Sequence, residues 1–334
     1  MQEQTTTLTA SDSKPLFVRA WLPDGVGPLR CGEERVGVPD GARPRAVIQL
    51  VHGMAEHSGR YGRLGRAAVA RGIAVVADDH RGHGATIAVP DERGHTDDVD
   101  GWQRVLDDLT HVRAAVNASW PGVPVILMGH SWGSLLVRGW VAQLPRHAQA
   151  LGGEAALAGL VVMGTAAGPG PLGHVGVALA RAEARLRGPR HVSTTLDRVA
   201  GGGRNAPFEP RRTDFDWLSR DEAEVDAYLA DPLCGFVCTS AFFRDLAVGA
   251  VEVNRRASFE AVPRDLPVLV VSGEADPVGG MGEGVRAVAT AMRRAGVRDV
   301  TLRLYPGARH ELLNETNREE VTAGLLAWVE EHLG

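Results

Sequence analysis

The chain has 334 residues, 44% hydrophobic and 23% charged, which suits one large core domain carrying a sizeable insertion rather than two full domains. Its 36 basic and 41 acidic side chains leave a formal net charge of −5 with no long basic run, which excludes a charge-driven nucleic-acid partner. The three cysteines, Cys31, Cys234 and Cys238, are too few and too uneven for a disulfide framework, and they favour a reducing cytoplasm.

The amino terminus is polar through Lys14 and lacks the charged start and apolar run of a signal peptide. Leu16 to Leu22 alternates and reads as an edge strand. Residues 23–44, rich in Gly, Pro and charge, read as a loop or hairpin excursion. A repeating pattern then begins. Ala46–Val51, Ile73–Ala77, Val123–Met128 and Leu160–Met163 are short apolar runs, as buried parallel strands require. Between them the spacing predicts helices over Tyr61–Arg71, Thr96–Asn117 and Ser131 to about Gln143. Late in the chain a strand is predicted over Pro267–Val271, a helix over Gly284–Arg294, a strand over Val300–Leu304 and a helix over Glu319–His332. Such alternation means a mostly parallel, doubly wound sheet covered on both faces.

Residues 167–262 break the alternation. The expected division is a core over 1–166 and 263–334 with a helical cap inserted between them. Within the insertion, Val175, Leu179, Ala182 and Leu186 fall at helical spacing and are expected to pack on the core or to cover a pocket. Cys234 and Cys238, four apart, could share a helix face, and no His or Cys cluster near them in sequence completes a metal site. The longest apolar segment, Ala155 to Gly168, is too short to span a bilayer. Paired arginines such as Arg211-Arg212 read as solvated surface.

The sharpest chemical signal is Gly129-His130-Ser131-Trp132-Gly133, a G-x-S-x-G motif between a predicted buried strand and an apolar helix. In that context the serine sits on a tight strand-to-helix turn that lifts its hydroxyl out of the sheet, and the small flanking residues let strand and helix approach. A serine hydroxyl needs a base to take its proton, and the base needs a carboxylate to fix its tautomer. After the insertion only His310 and His332 remain as bases. His332 lies in the terminal helix and is expected to be exposed, whereas His310 follows a strand end, where parallel sheets place ligand sites. The orienting acid is expected on the loop Ser272 to Pro277, with Asp276 preferred and Glu274 its rival. Asp78 and Asp79 read as a hydrogen-bonding scaffold. An oxyanion hole needs two backbone donors. The N–H groups of Trp132 and of Met54, after the strand Ala46–Val51, are the candidates, with His52 bracing that loop.

The blocks His52-Gly53-Met54-Ala55-Glu56-His57, Asp79-His80-Arg81-Gly82-His83-Gly84, Gly129 to Gly133, Ser272 to Val278 and Arg309-His310-Glu311 resemble the monoacylglycerol lipase and lysophospholipase group of α/β-hydrolases, also called the serine aminopeptidase S33-like hydrolases. The resemblance runs from about Ala46 to Trp328. It implies the α/β-hydrolase fold, Ser131, Asp276 and His310 as triad, Met54 and Trp132 as oxyanion amides, a cap over 167–262, and a small-molecule acyl ester substrate, a monoacylglycerol, lysophospholipid or other carboxylic ester, cleaved through an acyl-enzyme without cofactor or metal. The family often carries Met where this chain has Trp132, a change expected to spare the backbone donor and to narrow the acyl entrance. Two other readings stand beside ester hydrolysis: amide cleavage of the aminopeptidase kind, for which Asp214, Asp216, Asp221, Glu222, Glu224 and Asp226 could supply amine-binding acids, and a non-catalytic binding protein. Transient membrane contact by the cap stays open on sequence alone.

Overall fold

The computed structural model describes residues 1–31, 41–168 and 170–333, so residues 32–40 of the expected excursion lie outside the described residues. The chain opens with β1 (Gln2–Thr9) and β2 (Pro15–Leu22), followed by β3 (Ala46–Val51), α1 (Gly62–Val69) and β4 (Ile73–Asp78). Then come α2 (Gly101–Ser119), β5 (Val125–His130), α3 (Trp132–Ala142), α4 (Leu144–Ala150) and β6 (Gly159–Met163). Among the described residues, five α-helices separate β6 from the next strand: α5 (Pro171–Arg187), α6 (Thr194–Gly201), α7 (Glu222–Ala230), α8 (Ser240–Glu252) and α9 (Arg256–Glu260). The chain ends with β7 (Val268–Gly273), α10 (Glu283–Arg294), β8 (Val300–Tyr305) and α11 (Arg318–Glu331).

Among the described residues, eight strands form one sheet in the order β1-β2-β4-β3-β5-β6-β7-β8. Pairing is antiparallel at β1/β2 and β2/β4 and parallel from β4 onward. β2 is therefore not an edge. The polar amino terminus takes that place, pairing from Gln2 with Leu22 through Thr9 with Pro15. Its run Thr5-Thr6-Thr7 is β-branched and needs only one half-buried face, which a polar edge strand supplies.

Side chains alternate across the sheet and build two cores. Ile126 and Met128 point to the face packed by Leu64 and Ala68 of α1 and by Leu325, Trp328 and Val329 of α11. Leu127, Val162 and Val270 point to the opposite face, against α2, α3 and α10. α2 begins at Gly101, later than its pattern suggests. The Asp100 carboxylate accepts from Gln103 N at 3.2 Å and sets the start there. Pro145, in the first turn of α4, starts a second helix where the sequence pattern predicted only an end.

Two expectations within the insertion are overturned. α5 forms, but Val177, Ala180 and Ala184 are its buried residues, and Val175, Leu179 and Leu186 stand exposed at 63%, 42% and 86%. Small side chains let α5 pack closely on α8, which turns the larger apolar stripe outward. Cys234 and Cys238 lie in the irregular stretch between α7 and α8 and share no helix. Among the described residues no helix is long and apolar enough to cross a membrane.

Candidate active site

Ser131 sits between β5 and α3 with φ 56° and ψ −120°, a conformation that costs a non-glycine residue about 1–3 kcal/mol. The surrounding contacts enforce it. Ser131 N donates to Met163 O at 2.9 Å, and both the N–H and the hydroxyl of Ser134 turn back to Ser131 O. The glycines of the motif are where the strand, the helix and β3 meet. A Cβ on Gly129 would lie 2.2 Å from Gly133 O, and one on Gly133 would lie 2.1 Å from Val51 O.

Asp276 and His310 meet at the carboxyl ends of β7 and β8. His310 Nδ1 lies 3.0 Å from each Asp276 oxygen. The Asp276 carboxylate also accepts from Ser272 Oγ at 2.8 Å and Val278 N at 2.9 Å. Burial opposes its ionisation, but the His310 imidazole and these donors outweigh burial and hold its pKa below the usual carboxylate value. Glu274, the rival acid, is exposed and pairs with Arg286 at 3.7 Å. His332, expected to be exposed, is instead half-buried: just past the end of α11, it bonds Trp328 O and the Asp299 carboxylate that precedes β8. The His310 ring edge borders Gly164, where a Cβ would be 3.2 Å from Cε1, and Ser131 N is bonded to the preceding residue, Met163. The end of β6 thus holds the Ser131 backbone and borders the His310 ring. His310 Nε2 is buried and, among the described residues, has no hydrogen-bond partner. Such bonds often tighten only when substrate is bound.

The loop after β3 approaches Ser131 closely: a Cβ on Gly53 would lie 3.1 Å from Ser131 Cβ. His52 braces this loop. Its Nδ1 is 2.7 Å from Gly53 O, and its Nε2 accepts from His80 N at 3.0 Å. Asp79 accepts from Ser58 N and Ala85 N, both at 2.8 Å, and Asp78 bonds His80 Nδ1 at 2.8 Å, which is the scaffold expected of this pair. Among the described residues no protein oxygen accepts from the amides of Met54 or Trp132. The Trp132 indole is buried among His80, His83 and Phe242, with ring centroids 4.8–5.4 Å away.

Sequence reasoning missed a buried polar network under these loops. The Glu56 carboxylate accepts from Gly53 N at 2.7 Å and Tyr61 Oη at 2.9 Å, lies 3.2 Å from His130 Nδ1, and takes Arg60 Nη1 at 3.1 Å. Arg60 also makes a two-pronged bond to Glu311, at 2.5 and 2.7 Å. His130 Nε2 is 3.3 Å from His310 O. The loops bearing Met54, Ser131 and His310 are thereby linked. Burial alone would neutralise these groups, yet His130 and Arg60 keep Glu56 well below the ordinary carboxyl value, and Glu56 raises His130. In sequence the only hint is that His130 and Glu311 adjoin Ser131 and His310.

The insertion reaches the same loops. Ala55, at φ 54°, has its carbonyl held by Tyr228 Oη and Gly235 N, each at 3.0 Å. Glu311 N donates to Leu218 O at 2.7 Å, and the Trp217 ring lies 5.0 Å from His310. Most of the insertion's acids are engaged: Glu224 with Arg63, Asp226 with Arg212, Asp221 capping α7 and pairing with Arg318, and Asp216 with the amides of Arg212 and Thr213. Among the described residues they do not gather into a cluster.

One group of metal-ligating residue types does form across the chain. His57, Asp231 and Cys234 present ligand atoms within 4.8 Å of one another, unforeseen because His57 is distant in sequence. His57 Nδ1 accepts from Gly59 N at 3.2 Å, so Nε2 carries the proton it donates to Asp231 at 2.9 Å. Burial holds the Cys234 thiol protonated. This donor set is arranged as a hydrogen bond beside a thiol.

A family model described as serine aminopeptidase, S33, matches residues 42–317. The monoacylglycerol lipase of Mycolicibacterium smegmatis is 32% identical over 92% of this chain and 96% of its own. The human monoglyceride lipase is 30% identical over 92% of this chain and 84% of its own. Among solved structures, a thermostable carboxyl esterase from Bacillus coagulans superposes over 100% of both chains with a TM-score of 0.85 at 26% identity. With its wound sheet, its serine on a strained turn and its aspartate-held histidine, the chain belongs to the serine aminopeptidase S33 family of α/β-hydrolases.

Proposed function

We propose that this chain is a serine hydrolase of carboxylic esters, with monoacylglycerols as its substrates and Ser131, Asp276 and His310 as its triad. The observation that carries the reading is a serine on a strained strand-to-helix turn whose neighbouring backbone also borders an imidazole held by a buried carboxylate. Relatives named for monoacylglycerol and monoglyceride hydrolysis support the substrate. His310 Nε2 takes the Ser131 proton as Oγ attacks the ester carbonyl, and the Met54 and Trp132 amides hold the oxyanion. The C–O bond to glycerol breaks as His310 returns the proton to the leaving oxygen. Water, deprotonated by the same nitrogen, then releases the fatty acid. Asp276 fixes the tautomer and stabilises the imidazolium. Water is the only co-reactant these steps require.

Residues 167–262 act as the cap in this reading, and the exposed stripe Val175, Leu179 and Leu186 supports brief contact with the lipid–water interface where such esters gather. Three free cysteines support the reducing cytoplasm as its compartment. The test is fatty-acid release from a monoacylglycerol. The wild type is expected to turn it over, and Ser131→Ala to lose at least about 10³-fold in kcat. Retention of activity within tenfold in that variant refutes the assignment.

A further inference from the structure

The insertion is bonded into the loop that carries the triad base. Residues 216–219 run beside residues 309–311. The Arg309 guanidinium donates to Asp216 O at 2.5 Å and Ser219 O at 3.1 Å. Between those carbonyls, His310 N donates to Trp217 O at 3.4 Å and Glu311 N to Leu218 O at 2.7 Å. Further along, Ser219 Oγ donates to Asn314 O at 2.8 Å, and Arg220 pairs with the buried Glu315 at 2.8 Å. The turn that bears Trp217 is tied within the insertion as well. The Asp216 carboxylate accepts from the amides of Arg212 and Thr213, and Asn205 Oδ1 accepts from Trp217 N at 2.8 Å. The Arg204 guanidinium lies over the indole, 4.7 Å from the ring centre. Backbone and side chain of Trp217 are thus both held.

This frame sets the indole against the imidazole. The Trp217 and His310 rings lie 5.0 Å apart, inclined at 42°. The core supplies the other borders of the imidazole. Asp276 bonds Nδ1, the His130 ring lies at 4.9 Å, and a Cβ on Gly164 would be 3.2 Å from Cε1. Each border restrains rotation of the imidazole, and Trp217 is the ring that the insertion contributes. An indole face is also electron-rich and attracts a cation within about 6 Å of its centre. The imidazole becomes a cation twice in each turnover, first on taking the Ser131 proton and again on taking one from water. The attraction therefore grows as the transition state forms and does not tighten the ground state. Of the charged groups next to the imidazole, Asp276 favours its cation, and His130 is offset by Glu56 at 3.2 Å.

We infer that Trp217 is a positioning residue for this reaction. Its indole keeps the His310 imidazole in the orientation bonded to Asp276 and stabilises the imidazolium, so the base is complete only with the insertion docked. The inference rests on the proposed serine-hydrolase chemistry.

The experiment compares the wild type, Trp217→Phe and Trp217→Leu in two reactions. One is steady-state hydrolysis of a monoacylglycerol. The other is labelling of Ser131 by diisopropyl fluorophosphate, which needs the activated serine but carries no glycerol to bind. Circular dichroism melting checks that each variant folds, and the end point of labelling counts competent sites, so the rate constant is independent of any unfolded fraction. Trp217→Leu removes the aromatic face. It should lower kcat and the labelling rate constant by the same factor, about tenfold, with KM changed by less than about threefold. Trp217→Phe keeps a ring and should retain at least about a third of both rates. A labelling rate constant in Trp217→Leu within about twofold of wild type overturns the inference, as does a loss confined to KM, which would make Trp217 a substrate contact. Equal losses in the two variants also overturn it, since side-chain bulk and not the ring face would then be at work. Wild-type labelling without monoacylglycerol turnover overturns the substrate alone, and the labelling rates still decide the role of Trp217. Absence of both reactions in the wild type overturns the serine-hydrolase reading and this inference with it.

Discussion

Glu56 shows how much of the site depends on a residue that touches no reacting atom. Its Oε1 accepts from Gly53 N, which fixes the peptide next to the Met54 amide, and the same oxygen faces His130, the residue before Ser131. Truncating it frees Gly53 N, leaves Arg60 with Glu311 alone, and removes the partner that raises His130. Glu56→Ala is expected to lower kcat on the order of 10²-fold with a smaller change in KM, since a displaced oxyanion donor weakens the transition state more than the ground state. Steady-state kinetics on a monoacylglycerol reads this, and a loss confined to KM contradicts it. At this scale the sequence was legible wherever a residue announces itself by its neighbours. Ser131 stands in a five-residue motif, and His310 and Asp276 each follow a strand. Glu56 carries no such mark, because its role exists only once His130, Tyr61 and Gly53 surround it. Trp217 was equally silent, since the insertion has no periodic frame on which to place it.

Strands and core helices were legible because burial on both faces imposes a simple rule. Ala46–Val51 is read directly from its unbroken apolar run, and α10 and α11 lie within a residue or so of their predicted spans. β1 escaped notice because an edge strand with one solvated face needs no apolar pattern. α5 was recognised as a helix but turned the wrong way. Close packing on α8 selects the Ala180 and Ala184 face, and hydrophobicity alone favours the other. A tightly constrained junction between elements is where α3 passes β3. Gly133 has no room for a methyl group, since Val51 O and His52 O would lie 2.1 and 2.6 Å from it and neither backbone atom can rotate away. Gly133→Ala is expected to destabilise the fold by about 3 kcal/mol or more, measured as the midpoint shift in urea unfolding. It should also disturb the loop bearing Met54, so activity should fall in whatever fraction stays folded. A variant as stable as wild type would mean that α3 can slide on the sheet.

The whole molecule buries histidines of two opposed kinds, and their balance sets its response to pH. Burial holds His52 and His147 neutral, with pKa values of about 4, and pushes His83 well below its ordinary value. For His52 and His83 the charge of neighbouring histidines adds to burial. His80 and His130 are raised, because Asp78 and Glu56 outweigh the burial that opposes their charge. A histidine with a depressed folded pKa binds fewer protons folded than unfolded. Its stabilisation is complete above the unfolded pKa of about 6.5 and drains away as pH falls toward 4, with a slope of up to about 1.4 kcal/mol per pH unit for each site. A raised histidine does the reverse, and its contribution is lost as pH climbs through its folded value. The depressed group is the larger, and Asp276, Glu56 and Glu311, all held below their ordinary values, add a further loss at lower pH. Unfolding free energy from urea titrations should therefore fall continuously from about pH 6.5 to 4. His147 isolates one component away from the site, since it stacks on Trp140 and bonds Thr110 at 2.8 Å. His147→Gln should reduce the slope in that window by up to one proton's worth while leaving the ratio of ester activities at pH 7 and 6 unchanged. An unaltered slope would mean that His147 is already protonated in the folded chain, which its packing against the indole and the Thr110 hydroxyl, with Nε2 buried and unpartnered among the described residues, opposes.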